Sequence, residues 1–131
     1  MQTAGREIRD ITPLIAELTD RSGIVTELSN IFIAHTSASL MVTENADPAV
    51  HHDLERFMRR TAPDGDTLYT HTDEGPDDMS AHVRSVLTEP SLSVPVVKGR
   101  LALGTWQGVY LWEHRVRPHL RHIVVTIWGE Q

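Results

Sequence analysis

The sequence predicts a single α+β domain, a sandwich of mostly antiparallel strands with about three helices. Two patterns carry that prediction. Apolar residues recur at helical spacing in three separate stretches, each opened by Thr-Pro, Asp-Pro or Asp-Asp. Short runs rich in β-branched residues lie around them, and from Ser91 onward the pattern is strand and turn alone. At 131 residues the chain is one domain, residues 1–131, large enough to bury a core without staples.

Residues 5–11 read as a strand. Thr12-Pro13 then starts a helix, with Thr12 as cap and Pro13 in the first turn, and Gly23 stops it. Leu14, Ile15 and Leu18 are its apolar face. Residues 31–34 and 39–43 read as strands. Asp47-Pro48 opens a second helix bearing Val50, Leu54, Phe57 and Met58, which ends at Pro63-Asp-Gly-Asp. Asp77 or Asp78 caps a third, with Met79, Val83, Val86 and Leu87 apolar and Pro90 closing it. Ser91–Val97 is a strand whose Pro95 points to an edge or a bulge. Lys98-Gly99-Arg100 is a turn. A strand through Gly104–Glu113 would put Gln107, Val109, Leu111 and Glu113 on one face, and residues 120–128 alternate as the final strand.

Composition excludes several classes. With no cysteine there are no disulfides or thiolate zinc sites, so a metal must use His, carboxylate, amide or water ligands. No apolar run is long enough for a membrane span, and the charged N-terminal residues Glu7, Arg9 and Asp10 do not fit a signal peptide, which leaves a cytoplasmic location as the expectation. A net charge of −6 argues against nucleic acid as a partner, but not against a small phosphorylated metabolite.

Three polar constellations remain. His71-Thr-Asp-Glu-Gly-Pro-Asp-Asp-Met-Ser-Ala-His82 holds two histidines and four carboxylates around a Gly-Pro bend. On a helix, Asp78 and His82 share a face, and the acid can orient the ring. His35-Thr36-Ser37-Ala38-Ser39, followed by Glu44-Asn45-Ala46-Asp47, offers small hydroxyl residues suited to a phosphate, but serves equally as a turn and a helix cap. Lys98-Gly99-Arg100 with Gly104-Thr-Trp-Gln-Gly108 offers two cations at a turn and glycines that allow close approach; Trp106 by itself reads as core. His51 and His52 lie off the apolar stripe of their helix and read as solvated. The His114, His119 and His122 group among Arg115, Arg117 and Arg121 reads as a solvated basic edge.

The blocks His35-Thr-Ser-Ala-Ser-Leu, Asn45-Ala-Asp-Pro, Asp53-Leu-Glu-Arg-Phe, Asp77-Asp-Met-Ser-Ala-His82 and Lys98-Gly-Arg…Gly104-Thr-Trp-Gln-Gly, in this order, resemble the YjbQ family, also described as secondary thiamine-phosphate synthases. The resemblance runs from about residue 30 to the C-terminus; residues 1–29 match in pattern only. It implies a homotrimeric α+β protein with sites near subunit boundaries. It also implies a pocket including the positions of His35, Asn45, Asp47, His71, His82 and Gln107. The implied activity joins a pyrimidine diphosphate to a thiazole phosphate with release of pyrophosphate, as a weak or secondary reaction. Many relatives carry Asn at the position of Asp78.

On this basis His35, Asn45, Asp47, Asp78 and Gln107 are the expected catalytic residues. Thr36, Ser37, Ser39 and Arg100 are expected to bind phosphate, and His35, His71 and His82 to hold a divalent metal, zinc or magnesium. The alternatives are a metal-assisted hydrolase and a non-catalytic trimer that binds a metal or phosphometabolite.

Overall fold

The computed structural model describes all residues, Met1–Gln131. In chain order the elements are β1 (Glu7–Asp10), α1 (Thr12–Ser22), β2 (Thr26–Ile33), β3 (Ala38–Glu44), α2 (Pro48–Thr61), α3 (Asp78–Leu87), β4 (Ser91–Val97), β5 (Arg100–Leu101), β6 (Gln107–Glu113) and β7 (Ile123–Glu130). They form two sheets, β1-β6-β3 and β5-β4-β2-β7. Every strand pair is antiparallel. The α+β prediction holds, with three helices. No helix is long and apolar enough to cross a membrane.

The core combines inward residues from both sheets (Ile31, Ile33, Leu40, Val94, Val109 and Leu111) with Ile11 and Ile15 around the start of α1. Consecutive strands β2 and β3 do not form a hairpin, because residues 34–37 carry the chain from one sheet to the other. Ala34 to Ser37 therefore lie at one end of the sandwich, and Glu44 at the other.

One local reading changes and two are made specific. Thr12 does not cap α1; its hydroxyl accepts from the Val109 N–H at 2.8 Å, while Asp10 Oδ1 accepts from the Thr12 N–H. Pro95 sits where β4 is almost an edge, since β5 pairs only with Val96 and Val97. The hairpin turn between them is Lys98-Gly99, both at positive φ (52° and 75°), as a type I′ turn requires.

The largest departure is α3. Its buried residues are Asp78, Ser80, Ala81 and Arg84, whereas Val86 and Leu87 are 84% and 56% exposed. The helix is seated by polar contacts. Arg84 Nη1 donates to Glu55 of α2 at 2.9 Å, and the Ser80 hydroxyl donates to Asp64, which Arg6 grips with two nitrogens. Periodicity marks an apolar stripe; it does not say which neighbour the helix meets. Here Ser80 and Arg84 meet charged groups of α2 and the loop after it, while Ser85 turns to the Ala38 carbonyl of β3. Helix α2 lies against β6, with the His51 ring edge-on to Tyr110 at 4.6 Å and Glu55 accepting from Trp112 Nε1. This covers the second face of β6, so Gly108 through Glu113 are all buried.

Candidate metal centre

Asp78 and His82 are one turn apart on α3 and face the same way. The Asp78 side chain is only 2% exposed. Its Oδ2 lies 2.7 Å from His71 Nε2 and 3.3 Å from His82 Nε2. His71 reaches this point from the loop before the helix, turned back at Gly75, whose φ of 103° suits glycine. The three ligand atoms lie within 4.8 Å of one another. A tetrahedral ion with bonds of ~2.1 Å has ligands ~3.4 Å apart. The Asp78–His82 pair matches that spacing, while His71, hydrogen-bonded directly to Asp78, would release its Nε2 proton and draw back by ~0.7 Å to join the set.

The tautomer of His82 sharpens this. His82 Nδ1 donates to the Thr36 carbonyl at 3.0 Å. In a neutral ring Nε2 then carries a bare lone pair, and it faces a carboxylate oxygen. Two lone pairs repel unless a proton or a cation lies between them.

Arg115 holds the carboxylate in place. Its Nη1 donates to Asp78 Oδ1 at 2.9 Å, its Nε to Asp77 Oδ2 at 3.0 Å and its Nη2 to the Glu74 carbonyl at 3.0 Å. Asp77 is thus not a side-chain cap. Its Oδ2 also accepts from the Val116 N–H. Burial pushes the Asp77 carboxyl up, but the Val116 N–H and the Arg115 guanidinium outweigh it and hold its pKa below the usual range. Asp73 and Glu74 are exposed, as expected for solvated acids. Arg115, expected on a solvated edge, belongs to this site; its side chain is 14% exposed. No spacing signal could have paired residues 37 apart in sequence with Asp78.

His35 does not join this group. Its Nε2 accepts from the His122 N–H at 2.8 Å, and its Nδ1 faces Arg121 at 3.4 Å. Burial, then the Arg121 and His122 charges, lower its pKa. The ring instead lines a pocket of about 440 Å³ with Thr36, His82, Ser85, Val86 and Pro90. His71 opens onto a second pocket of about 430 Å³ beside Tyr69, Thr72, Pro76 and Met79.

The phosphate-binding expectation fails for two residues. Ser37 and Ser39 are 8% and 1% exposed, and their hydroxyls are committed internally. Ser37 Oγ accepts from Arg121 Nη2 at 2.9 Å, and Ser39 Oγ pairs with His114 Nε2 at 2.8 Å. The solvated-edge reading also fails for His114 and Arg121, although Arg117 and His122 are exposed as expected. His114 and Arg121 are 0% and 3% exposed, and Arg121 forms a buried ion pair with Glu113. A turn followed by a buried strand uses small hydroxyl residues for the same reason a phosphate site does, because they donate and accept at close range.

The remaining expected residues lie at the opposite end of the sandwich. Glu44 pairs with Gln107 at one end of the β3–β6 ladder, while Ala38 pairs with Glu113 at the other, about 20 Å away for a strand this long. Asn45 Nδ2 donates to the Thr105 and Gln107 carbonyls at 3.1 Å each. Asp47 caps α2 by accepting from the Ala49 N–H. Gln107 Oε1 accepts from the Gly104 N–H at 2.7 Å. These contacts brace a loop whose tip, Trp106, is 64% exposed, so this tryptophan is not core. The expected close approach at Gly108 is made by the Tyr110 ring and Thr12. Arg100 stands at the same end, in a pocket of about 360 Å³ with Thr12, Ala16, Asp20 and Leu103.

Fold and site together define a small α+β protein with two histidines and one carboxylate gathered at the start of a helix. Residues 1–130 match the model of the UPF0047 protein YjbQ-like family, and the chain belongs to that family. A UPF0047 protein of Synechocystis is 48% identical over 98% of this chain and 87% of its own length. YjbQ of Escherichia coli O157:H7 is 45% identical over 89% of this chain and 84% of its own. The crystal structure of an uncharacterised YjbQ/UPF0047 protein from Clostridium acetobutylicum superposes with a TM-score of 0.84 at 30% identity, covering 98% of this chain and 99% of that one.

Proposed function

We propose that His71, Asp78 and His82 hold one divalent metal ion, and that the protein is a metal-assisted enzyme for a small phosphorylated molecule. The observation carrying this reading is that His82 Nε2 and His71 Nε2 converge on one buried oxygen, Asp78 Oδ2, at 3.3 and 2.7 Å. Two imidazoles and one carboxylate suit zinc or a related transition metal better than magnesium, which prefers all-oxygen surroundings. Three protein ligands leave coordination positions open for water or substrate. A bound ion would supply positive charge to a phosphate or carbonyl oxygen, or lower the pKa of a water. The chain's own part is to hold the set in place, through the Thr36 carbonyl on His82 and Arg115 on Asp78.

The family resemblance makes thiamine phosphate formation the first transfer reaction to assay. There the thiazole nitrogen attacks the pyrimidine methylene carbon as the C–O bond to pyrophosphate breaks. That chemistry needs charge on the leaving group and two rings held in register. Within one chain, Arg100, Asn45 and Gln107 lie at the far end of the β3–β6 ladder from the histidines. The transfer reading therefore requires a second copy to bring those residues to the metal, which fits a cytoplasmic homotrimer with sites at its subunit boundaries. A metal-assisted hydrolase needs only the histidine end, and the open metal set favours it where no such assembly forms.

Zinc titration by calorimetry should give one ion per chain for the native protein and none for Asp78→Asn or His82→Ala. The zinc-loaded protein is then assayed for thiamine phosphate formation and for phosphate ester hydrolysis. No zinc uptake sinks the metal reading. Uptake without turnover in either assay sinks the enzyme reading and leaves a metal-binding protein.

A further inference from the structure

We infer that Arg115 is the positioning residue of the metal centre, and that it sets which metal the site prefers by leaving Asp78 only one oxygen to offer. The inference rests on the reading of His71, Asp78 and His82 as ligands.

The geometry of the guanidinium carries it. Each of its three nitrogens donates to a different acceptor in one short segment: Nη2 to the Glu74 carbonyl, Nε to Asp77 Oδ2 and Nη1 to Asp78 Oδ1. The backbone on either side of its side chain is tied as well. The Arg115 N–H donates to Glu113 Oε2, the buried carboxylate paired with Arg121, and the Val116 N–H donates to Asp77 Oδ2. The arginine thus staples the segment before α3 to the end of β6. His71, three residues before Glu74, depends on that staple, since its side chain has no protein contact of this kind other than Asp78.

The consequence for Asp78 is geometric. A free carboxylate can chelate a cation through both oxygens. Here Oδ1 is committed to a guanidinium nitrogen at 2.9 Å, while Oδ2 points at both imidazoles. A charge-assisted bond of this kind is short and strong, and burial to 2% exposure removes the water that would compete for it. The site therefore offers two nitrogens and one oxygen. Zinc and cobalt accept that set readily. Manganese, which suits oxygen donors, loses the second carboxylate oxygen that would favour it. Arginine is needed because a planar fork spans three acceptors, whereas a lysine ammonium on a flexible stem can satisfy only part of them.

The test measures zinc and manganese affinities of the full chain, by calorimetry and by manganese electron paramagnetic resonance, for the native protein, Arg115→Lys and Arg115→Met. Circular dichroism and melting temperature report the fold. Outer groups that orient ligands typically change metal affinity ~10–100-fold. We expect zinc binding by Arg115→Met to weaken within that range while manganese weakens less or gains, so the zinc-to-manganese ratio falls at least about tenfold. Arg115→Lys, which keeps the positive charge beside Asp77 and Asp78, should fold even if the Met variant does not, and should lower the same ratio. A role that only supports the fold would move both affinities by the same factor, and that result overturns the inference. So does an unchanged ratio in both variants. Failure of the native protein to bind either metal would overturn the ligand assignment itself, a different outcome from native binding with an unchanged ratio.

Discussion

His114 should make the protein acid-sensitive in a pH range where its carboxylates do not. The ring is 0% exposed; Nε2 pairs with Ser39, and Nδ1 has no partner. Burial, then the Arg84, Arg6 and Arg121 charges, lower its pKa to about 3. In the unfolded chain an imidazole titrates near 6.5. The folded value is the lower one, so the unfolded state binds the extra proton between these values, and stability falls as pH falls. The contribution is complete above about 6.5 and decreases by about 1.4 kcal/mol per pH unit below it, or about 2 kcal/mol at pH 5. Glu113, Asp64 and Asp77, whose pKa values are held low, begin to cost stability only below about 4, the unfolded carboxylate range. His35 acts in the same direction as His114, so the comparison must be with a variant. Urea unfolding followed by circular dichroism at pH 7.5, 6 and 5, at one protein concentration, should show native stability falling by about 2 kcal/mol more than that of His114→Gln. Equal pH slopes for the two proteins would refute the claim that a buried neutral imidazole links folding to pH.

Three further outcomes are expected. Gly108→Ala places a Cβ 2.9 Å from Tyr110 Cε2 and 3.2 Å from Thr12 Oγ1, and should cost about 1–3 kcal/mol by thermal unfolding; an unchanged melting temperature would show that this contact relaxes freely. Glu55→Ala leaves Arg84, 0% exposed, without its counter-charge and should cost about 3–5 kcal/mol, while Glu55→Leu with Arg84→Met recovers much of that loss; a double variant no more stable than the single one contradicts this. Trp106→Ala should change monomer stability by less than about 0.5 kcal/mol, because the ring is 64% exposed, and a larger loss would mean that it packs somewhere the structure does not show.

Much of the fold was legible because the signals were local. Gly23 ends α1 at a φ of 74°, Asp47 caps α2, and Lys98-Gly99 turns the β4–β5 hairpin. The Asp78 and His82 pairing was legible for the same reason, since a helix of any surroundings puts residues four apart on one face. The phosphate-binding roles of Ser37 and Ser39 were misread because residue type and turn context do not report burial. The buried polar face of α3 was hidden because its partners, Glu55, Asp64 and Arg6, come from three other parts of the chain.

The sequence by itself determined the helices, the strands, the turns and the stretch from His71 to His82 as the place where titratable groups gather. These follow from backbone preferences and from spacing along one element. Only the tertiary structure decided which of those groups meet. It brought His71 back across the Gly75 turn to Asp78, gave Asp78 to Arg115, withdrew His35 to the His122 N–H, and sent Asn45, Asp47 and Gln107 to the far end of β3. The physical reason is that a site is made of distances between elements. Those distances depend on how two sheets and three helices bury their surfaces, not on the order of residues within any one of them.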